Sequence, residues 1–260
     1  MSLRRIRTII WRHALALKRT PIKWFDTFWW TTVDVLIFGS IGAFLERSGA
    51  STGATYFLAA VMLVHLMYQF QIGMSTSFLE ETWSRNLINI MVTPLRESEL
   101  AVGFGLFSLA KTAIAMIWLI GLSWLAYSFH LSRIGALLFP AVFELLLISL
   151  GLSWLVIALV LRFGQSAEGL AWGTAFILAP LSGLYSPTSS LPTPLRQFSA
   201  VLPTTYIFRA ARDAVLNQPV ASRDVLWGFL GSAVVCVLGG MYALHCLRVF
   251  RQRGFVTRYS

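Results

Sequence analysis

The sequence predicts an all-α integral membrane protein, with an amphipathic interface helix followed by six membrane-spanning helices. Three observations carry this reading. Of its 260 residues, 57% are hydrophobic and only 12% charged, where a soluble domain carries about 25% charged residues. The apolar residues gather into long runs, and roughly 20 apolar residues cross the hydrocarbon core as a helix. The strands of a membrane barrel are shorter, at about 10 residues, and alternate in polarity. Finally, the net charge of +10 is concentrated at the two ends of the chain. That is the bias of a membrane protein's cytoplasmic segments, so membrane lipid and not nucleic acid is the expected surface.

The opening stretch, MSLRRIRTIIWRHALALKRT, mixes Ile6, Ile9, Ile10, Leu15 and Leu17 with Arg4, Arg5, Arg7, Arg12, Lys18 and Arg19. It is too charged to cross a bilayer, so residues 1–22 are predicted to lie in the interface plane. No small-residue cleavage site follows a short apolar core, so it does not read as a secretory signal. The spans are predicted at about 24–45, 55–79, 100–129, 134–161, 167–185 and 225–248. Trp24, Trp29 and Trp30 mark one end of the first, where aromatic belts sit. The third is longer than the bilayer needs, and should tilt or extend into water.

With the N-terminus inside, inside segments hold 14 of the 21 Lys and Arg residues: Arg4, Arg5, Arg7, Arg12, Lys18, Arg19, Lys23, Arg85, Arg96, Arg162, Arg248, Arg251, Arg253 and Arg258. Outside segments hold Arg47, Arg133, Arg196, Arg209, Arg212 and Arg223. The excess puts both termini in the cytoplasm, as an even number of spans requires. Cys236 and Cys246 share one apolar run. Ten helical residues separate them by about 15 Å, too far for a disulfide, so they read as small apolar fillers. No internal repeat stands out, which weakens the case for a carrier built on inverted repeats.

The interruption between the second and third spans, residues 80–98, is the most informative stretch: LEETWSRNLINIMVTPLRESEL, Leu79 to Leu100. Trp83, Leu87, Ile90 and Met91 share one helical face by their spacing. Glu81, Arg85 and Asn89 line another, and Glu81 four residues before Arg85 is the favourable order for an ion pair. Pro94 disfavours helical geometry at Thr93 and should end the helix. A short amphipathic helix over 81–92 is therefore predicted, with a mixed polar ridge. A lipid-binding helix would be richer in Lys and Arg, so the ridge suits a protein partner better.

LEETWSRNLINIMVTPLRESELAVG resembles the cytoplasmic loop between the second and third spans of ABC-2 type permeases, the membrane subunits of bacterial ATP-driven exporters. TAFILAPLSGLYSPTSSLPTPLRQFSAVLPTTYIFRAARDAVL, Thr174 to Leu216, resembles that family's fifth span, external segment and the helix before the last span. The resemblance covers nearly the whole chain in layout. It implies that the loop carries a coupling helix seated in a groove of a separate ATPase subunit. The coupling surface it implies consists of Glu80, Glu81, Arg85, Asn86 and Asn89, joined by Arg12 of the interface helix. It further implies two ATPase copies, a second permease copy forming a homodimer or a related heterodimer, and the bacterial inner (plasma) membrane. The chain has no GxxxxGK[ST] phosphate-binding motif, so ATP and Mg would reside on the partner ATPase and this chain would hold no cofactor of its own.

In residues 186–222, Thr193 and Pro194 read as an N-cap and first helical position. Leu195, Phe198 and Leu202 then give a short apolar face. Pro203 opens a second helix with Ile207, Ala211 and Val215 on one side, and with Arg209, Arg212 and Asp213 polar. Two short re-entrant helices fit this pattern, and in the resembled family they cap the export path. Family spans two and five line that path, which makes Tyr68, Gln71, Phe78, Trp172, Phe176 and Tyr185 the candidate substrate contacts. Substrate classes across the family include polysaccharides, lipid-linked glycans, drugs and peptides; an amphipathic or lipid-linked molecule is expected here.

Asp34, Lys111 and Glu144 fall inside spans, where charges are costly and usually pair. Lys111 is expected to pair with Asp34 or Glu144, as a structural bridge or, in an ion-coupled carrier, as a proton or ion site. Gly164-Gln165-Ser166-Ala167 resembles the GxSx stretch of rhomboid proteases, with His245 in the last span. Ser166 sits at a turn, however, and reads more naturally as a helix N-cap. No HExxH motif or His/Cys cluster suggests a metal.

Overall fold

The computed structural model describes residues 1–49, 53–130 and 135–253. Arg133 and Arg258 of the charge pattern lie outside the described residues, as do the side chains of Met91, Gln165, Arg251 and Arg253. Among the described residues the chain is helical, without strands. Its helices are α1 (Leu3–Arg19), α2 (Ile22–Arg47), α3 (Gly53–Trp83), α4 (Leu87–Val92), α5 (Glu97–Tyr127), α6 (Leu138–Phe163), α7 (Gly169–Leu181), α8 (Thr193–Ser199), α9 (Pro203–Val215) and α10 (Ser222–Arg253).

Five of these, α2, α3, α5, α6 and α10, are long and apolar enough to cross a membrane. The expected span at 167–185 is instead the 13-residue apolar helix α7. Pro180 lies in its last turn, and Gly183 just beyond has φ of +72°, so the backbone turns away there. A helix of that length rises about 20 Å, short of the hydrocarbon thickness.

The bundle is organised around α3, which is buried along nearly its whole length, while α2, α5 and α10 turn most of their surface outward. The core around it includes Met67, Leu145, Ile148, Ile207 and Phe208. Two serines of α6 bond to carbonyls of α3: Ser149 Oγ to Met67 O at 3.1 Å and Ser153 Oγ to Gln71 O at 3.2 Å. Small hydroxyls allow close helix approach, and between apolar helices such bonds supply cohesion that the hydrophobic effect cannot.

The α6–α10 crossing is closer still. A Cβ on Gly151 would stand 2.7 Å from the Cys236 amide nitrogen, and one on Gly239 would stand 2.5 Å from the Gly151 carbonyl oxygen. Cys246 is buried and Cys236 half-buried, both free, as the spacing predicts.

The amphipathic α1 does not turn its main apolar stripe to lipid. Its buried residues are Ile6, Ile9, His13 and Leu17, and the helix packs along α5, with Ile9 against Gly103. Trp11, on the opposite side, and Leu3, in the first turn, are exposed. The long third span explains this: the first turns of α5 run alongside α1 and give it a protein surface to cover.

Candidate functional site: a charged junction at the α1 end

The predicted single helix over 81–92 is two pieces. α3 continues through Glu80 and Glu81 to Trp83, then closes with Arg85 in the left-handed region at φ 53°. The Asn86 amide bonds to Glu81 O at 2.9 Å and the Arg85 amide to Thr82 O at 3.0 Å. This pair of bonds is a Schellman closure, in which glycine is the usual left-handed residue. α4 starts only at Leu87 and ends before Thr93, whose extended backbone agrees with the expected effect of Pro94.

The break separates residues that a continuous helix would have aligned. Glu81 and Arg85 do not share one helical face, and Glu81 does not stand on an outer ridge. It is buried, accepting hydrogen bonds from Arg12 at 2.7 Å and from Asn86 Nδ2 at 2.8 Å. His13 Nε2 lies 3.3 Å from its other oxygen, at an angle outside hydrogen-bond geometry. Glu80 is paired with Lys23 of α2 at 2.6 Å. A third carboxylate, Glu99, accepts from the Ser2 amide at 2.7 Å, from its own helix start at Arg96 N at 3.1 Å, and from Arg5 at 3.3 Å.

Three carboxylates and their partners therefore weld α1, α2, α3 and α5 into one body. From it Arg85 and Asn89 project, both exposed, with Asn89 bonded to Asn86. Leu87 is buried and Ile90 half-buried, so α4 keeps part of the predicted apolar face. Trp83 is exposed, and its indole donates to Glu168 at 3.1 Å, bringing the 164–168 turn to the same surface. A cavity of about 270 Å³ opens between α1 and residues 90–95, with Arg5, Thr8 and Arg12 on one wall and Ile90 and Pro94 on another.

Glu99 and His13 escaped the sequence reading. The signal for Glu99 was present: it stands three residues after Arg96, the spacing of a capping box. His13 stands on the apolar stripe of α1 and contacts Phe104 and Phe107 at ring distances of 5.1 and 5.4 Å.

The charges inside the bundle pair differently from expectation. Asp34 meets His65 Nε2 at 2.7 Å, not Lys111. Glu144 rests against Gly228 and Ile207 near the α9 end of the bundle. Lys111 stands far from it, lining a cavity of about 20 Å³ with Lys23, Glu80, His13 and Thr76. The histidine explains the difference: a residue absent from any tally of formal charge took the position beside Asp34.

The candidate substrate residues divide. Gln71 and Phe78 are buried inside the single chain. Gln71 donates to Ala171 O at 3.2 Å, and Phe78 packs with Phe70, Met74 and Leu79. Trp172 and Phe176 are exposed on α7. Phe176 meets Tyr68 at 4.8 Å between ring centroids, and Tyr185 stacks on Phe38 of α2 at 4.8 Å.

At the opposite end, α9 buries Ile207, Ala211 and Val215 as predicted, while α8 exposes Leu195 and Phe198. The N-cap of α8 is Pro192, not Thr193. Arg212, expected to be simply polar, is tied to Tyr56 OH at 3.2 Å and to the Gly183 carbonyl.

Ser166 does not cap α7, whose N-cap is Glu168; its hydroxyl donates to Phe163 O at 2.9 Å. His245 is exposed in α10. The protease arrangement has no support in this geometry. Among the described residues no group of three or more His, Cys, Asp or Glu side chains gathers to hold a metal.

A search of curated proteins finds no match to this chain. The family model of the ABC-2 type transporter matches residues 4–216, from the start of α1 through α9. The welded junction, the apolar helices and that match agree: the chain belongs to the ABC-2 type transporter family, as a multi-pass transporter permease subunit.

Proposed function

We propose that this chain is the permease of an ATP-driven exporter in a bacterial inner (plasma) membrane, working with a separate ABC ATPase that docks on α4 and its surroundings. The family is generally partnered with such an ATPase. The observation that carries the docking reading is the contrast at Glu81. Its side chain locks α3 to α1, while Arg85 and Asn89, a few residues on, are exposed at the rim of the same body. A force applied to α4 therefore reaches α1, α2, α3 and α5 through salt bridges and hydrogen bonds, not through a slack loop.

In this reading the α1 end and both termini face the cytoplasm, with the short α7 segment completing an even number of crossings as it runs from Glu168, beside Trp83 at one end of α3, to Leu184, beside Tyr56 at the other. Arg85, Asn89, Trp83 and the 164–168 turn form the docking face, and the cavity beside Arg5 and Arg12 admits a partner side chain. Glu80, Glu81, Asn86 and Arg12 transmit force without forming the outermost contact surface. Two permease copies, identical or related, work with two ATPases that hold ATP and Mg. ATPase closure shifts the junctions as rigid bodies and changes the gap between the two copies, through alternating access or channel opening. The cargo is an amphipathic, lipid-linked or polysaccharide molecule or a drug.

The test is isolation from native membranes in mild detergent with identification of co-purifying chains. A stoichiometric cytoplasmic ATPase is expected, lost in Arg85→Glu with the permease still monodisperse. A folded, dimeric permease without any ATPase would overturn the reading and favour an ion-coupled carrier.

A further inference from the structure

We propose that the furrow between α2 and α7 binds a hydrophobic organic cation, with Asp34 as its counter-charge and Phe38, Tyr68, Phe176 and Tyr185 as its aromatic walls. This rests on the permease reading and narrows its substrate class.

The furrow follows from the packing. α2 and α7 both lie on α3, yet form no substantial contact with each other, so α3 is the floor between them. Asp34 and Phe38 are one turn apart on α2 and share a face. His65 and Tyr68 are likewise one turn apart on α3. The contacts form one continuous chain across the furrow. Tyr185 stacks on Phe38 at 4.8 Å, Asp34 meets His65 at 2.7 Å, the His65 ring meets Tyr68 at 6.3 Å, and Tyr68 meets Phe176 at 4.8 Å.

The charge balance distinguishes this place from every other carboxylate pair described above. The carboxylate side chain of Asp34 is 27% exposed, while the His65 side chain behind it is 4% exposed. Nε2 of the ring meets Asp34, and Nδ1 is buried with no hydrogen-bond partner. His65 therefore holds Asp34 from the buried side and leaves part of the carboxylate open. A partly open carboxylate inside a spanning helix, with no Lys or Arg in ion-pair contact among the described residues, marks a ligand or ion site. Aromatic ring faces add attraction for a cation, most strongly where water is displaced. A lipid tail or a neutral glycan gains from the rings and nothing from the carboxylate. A small inorganic cation gains from the carboxylate and little from the rings. A bulky organic cation uses both.

The experiment measures binding of tetraphenylphosphonium to the purified full chain in lipid nanodiscs, with tetraphenylborate as the anion of the same shape. Wild type is expected to bind the phosphonium and discriminate against the borate. Asp34→Asn should weaken phosphonium binding by about tenfold or more, and Asp34→Glu should restore it to within about threefold. Phe176→Ala, at a residue 57% exposed so that losing the ring opens no core cavity, should weaken it by about threefold. Equal binding of phosphonium and borate, or unchanged binding in Asp34→Asn and Phe176→Ala, would overturn the proposal. If Asp34→Asn fails to fold, the borate comparison and Phe176→Ala still decide. No ATPase or ATP takes part, so a negative result leaves the ATPase reading standing. Phosphonium binding without a co-purifying ATPase would count against that reading alone.

Discussion

The two halves of α3 bury polar groups in opposite ways. Toward its C-terminus, Glu80 and Glu81 each meet a cation, and neighbouring Glu99 meets a third. Toward its middle, His65 meets a carboxylate that has kept a quarter of its surface open. The first arrangement is electrically closed and ties four helices together; the second is electrically open and ties two. A closed set of charges resists being pulled apart, since removing one partner strands the others in a poor solvent. An open one retains attraction for something not yet present. In the proposed reading, transmission and recognition thus divide along a single helix.

The largest expected effect breaks the closed end. Glu81→Ala strands a buried His13 beside Arg12, and should cost about 3 kcal/mol, the range for breaking a buried pair. Thermal unfolding followed by size-exclusion chromatography in detergent measures it. Asp34→Asn in the same assay should change stability by about 1 kcal/mol or less, because the amide can still hydrogen-bond to His65. Comparable losses in the two variants would erase the distinction between the halves.

The next effect tests how α1 is held. A Cβ on Gly103 would stand 2.8 Å from Ile9 Cγ2, so Gly103→Leu should push α1 off α5 at a cost of about 1–3 kcal/mol. Gly105 faces open space, and Gly105→Leu should leave stability unchanged. Protease sensitivity of α1 reports the detachment; equal sensitivity in the two variants would mean that the helix is held by its salt bridges alone.

A smaller effect separates pairs within the closed end. The Arg12–Glu81 pair has its carboxylate 3% exposed, whereas Lys23 and Glu80 are 35% and 29% exposed. Double-mutant cycles should give a coupling energy above about 1 kcal/mol for the first and about 0.5 kcal/mol for the second, where solvent screens the charges. The reverse order would place the lock at α2 and not at α1.

Much of the fold was legible because bilayer burial leaves long apolar runs, and five of the expected spans match helices to within a few residues at most ends. What was lost lay in long-range pairing and backbone geometry. The resemblance pointed to Arg12 and Glu81 as expected coupling residues, but nothing in a sequence shows that residues 69 positions apart share a hydrogen bond. Asp34 stood out by its charge, while His65 was hidden in an apolar run because a formal-charge count passes over histidine. Phe38 was hidden among residues that face lipid. The helix break was the least legible feature. Arg85 occupies a left-handed position that glycine normally announces, so the 81–92 periodicity ran straight across it.

That break gives the smallest and most discriminating prediction. Arg85 is exposed, and among the described residues its side chain makes no hydrogen bond or ion pair. Its substitution should therefore leave the closed charges intact. Arg85→Gly relieves the left-handed backbone and should raise stability by at most about 1 kcal/mol, while removing the side chain that the docking reading requires. Arg85→Asn, which also tolerates that backbone region, keeps a polar side chain without the charge. If the guanidinium contacts the ATPase, both variants lose co-purification while melting at or above the wild-type temperature. If only the abrupt turn from α3 into α4 matters, both retain the ATPase, and Arg85→Val, whose β-branched side chain disfavours the left-handed region far more than arginine does, loses it.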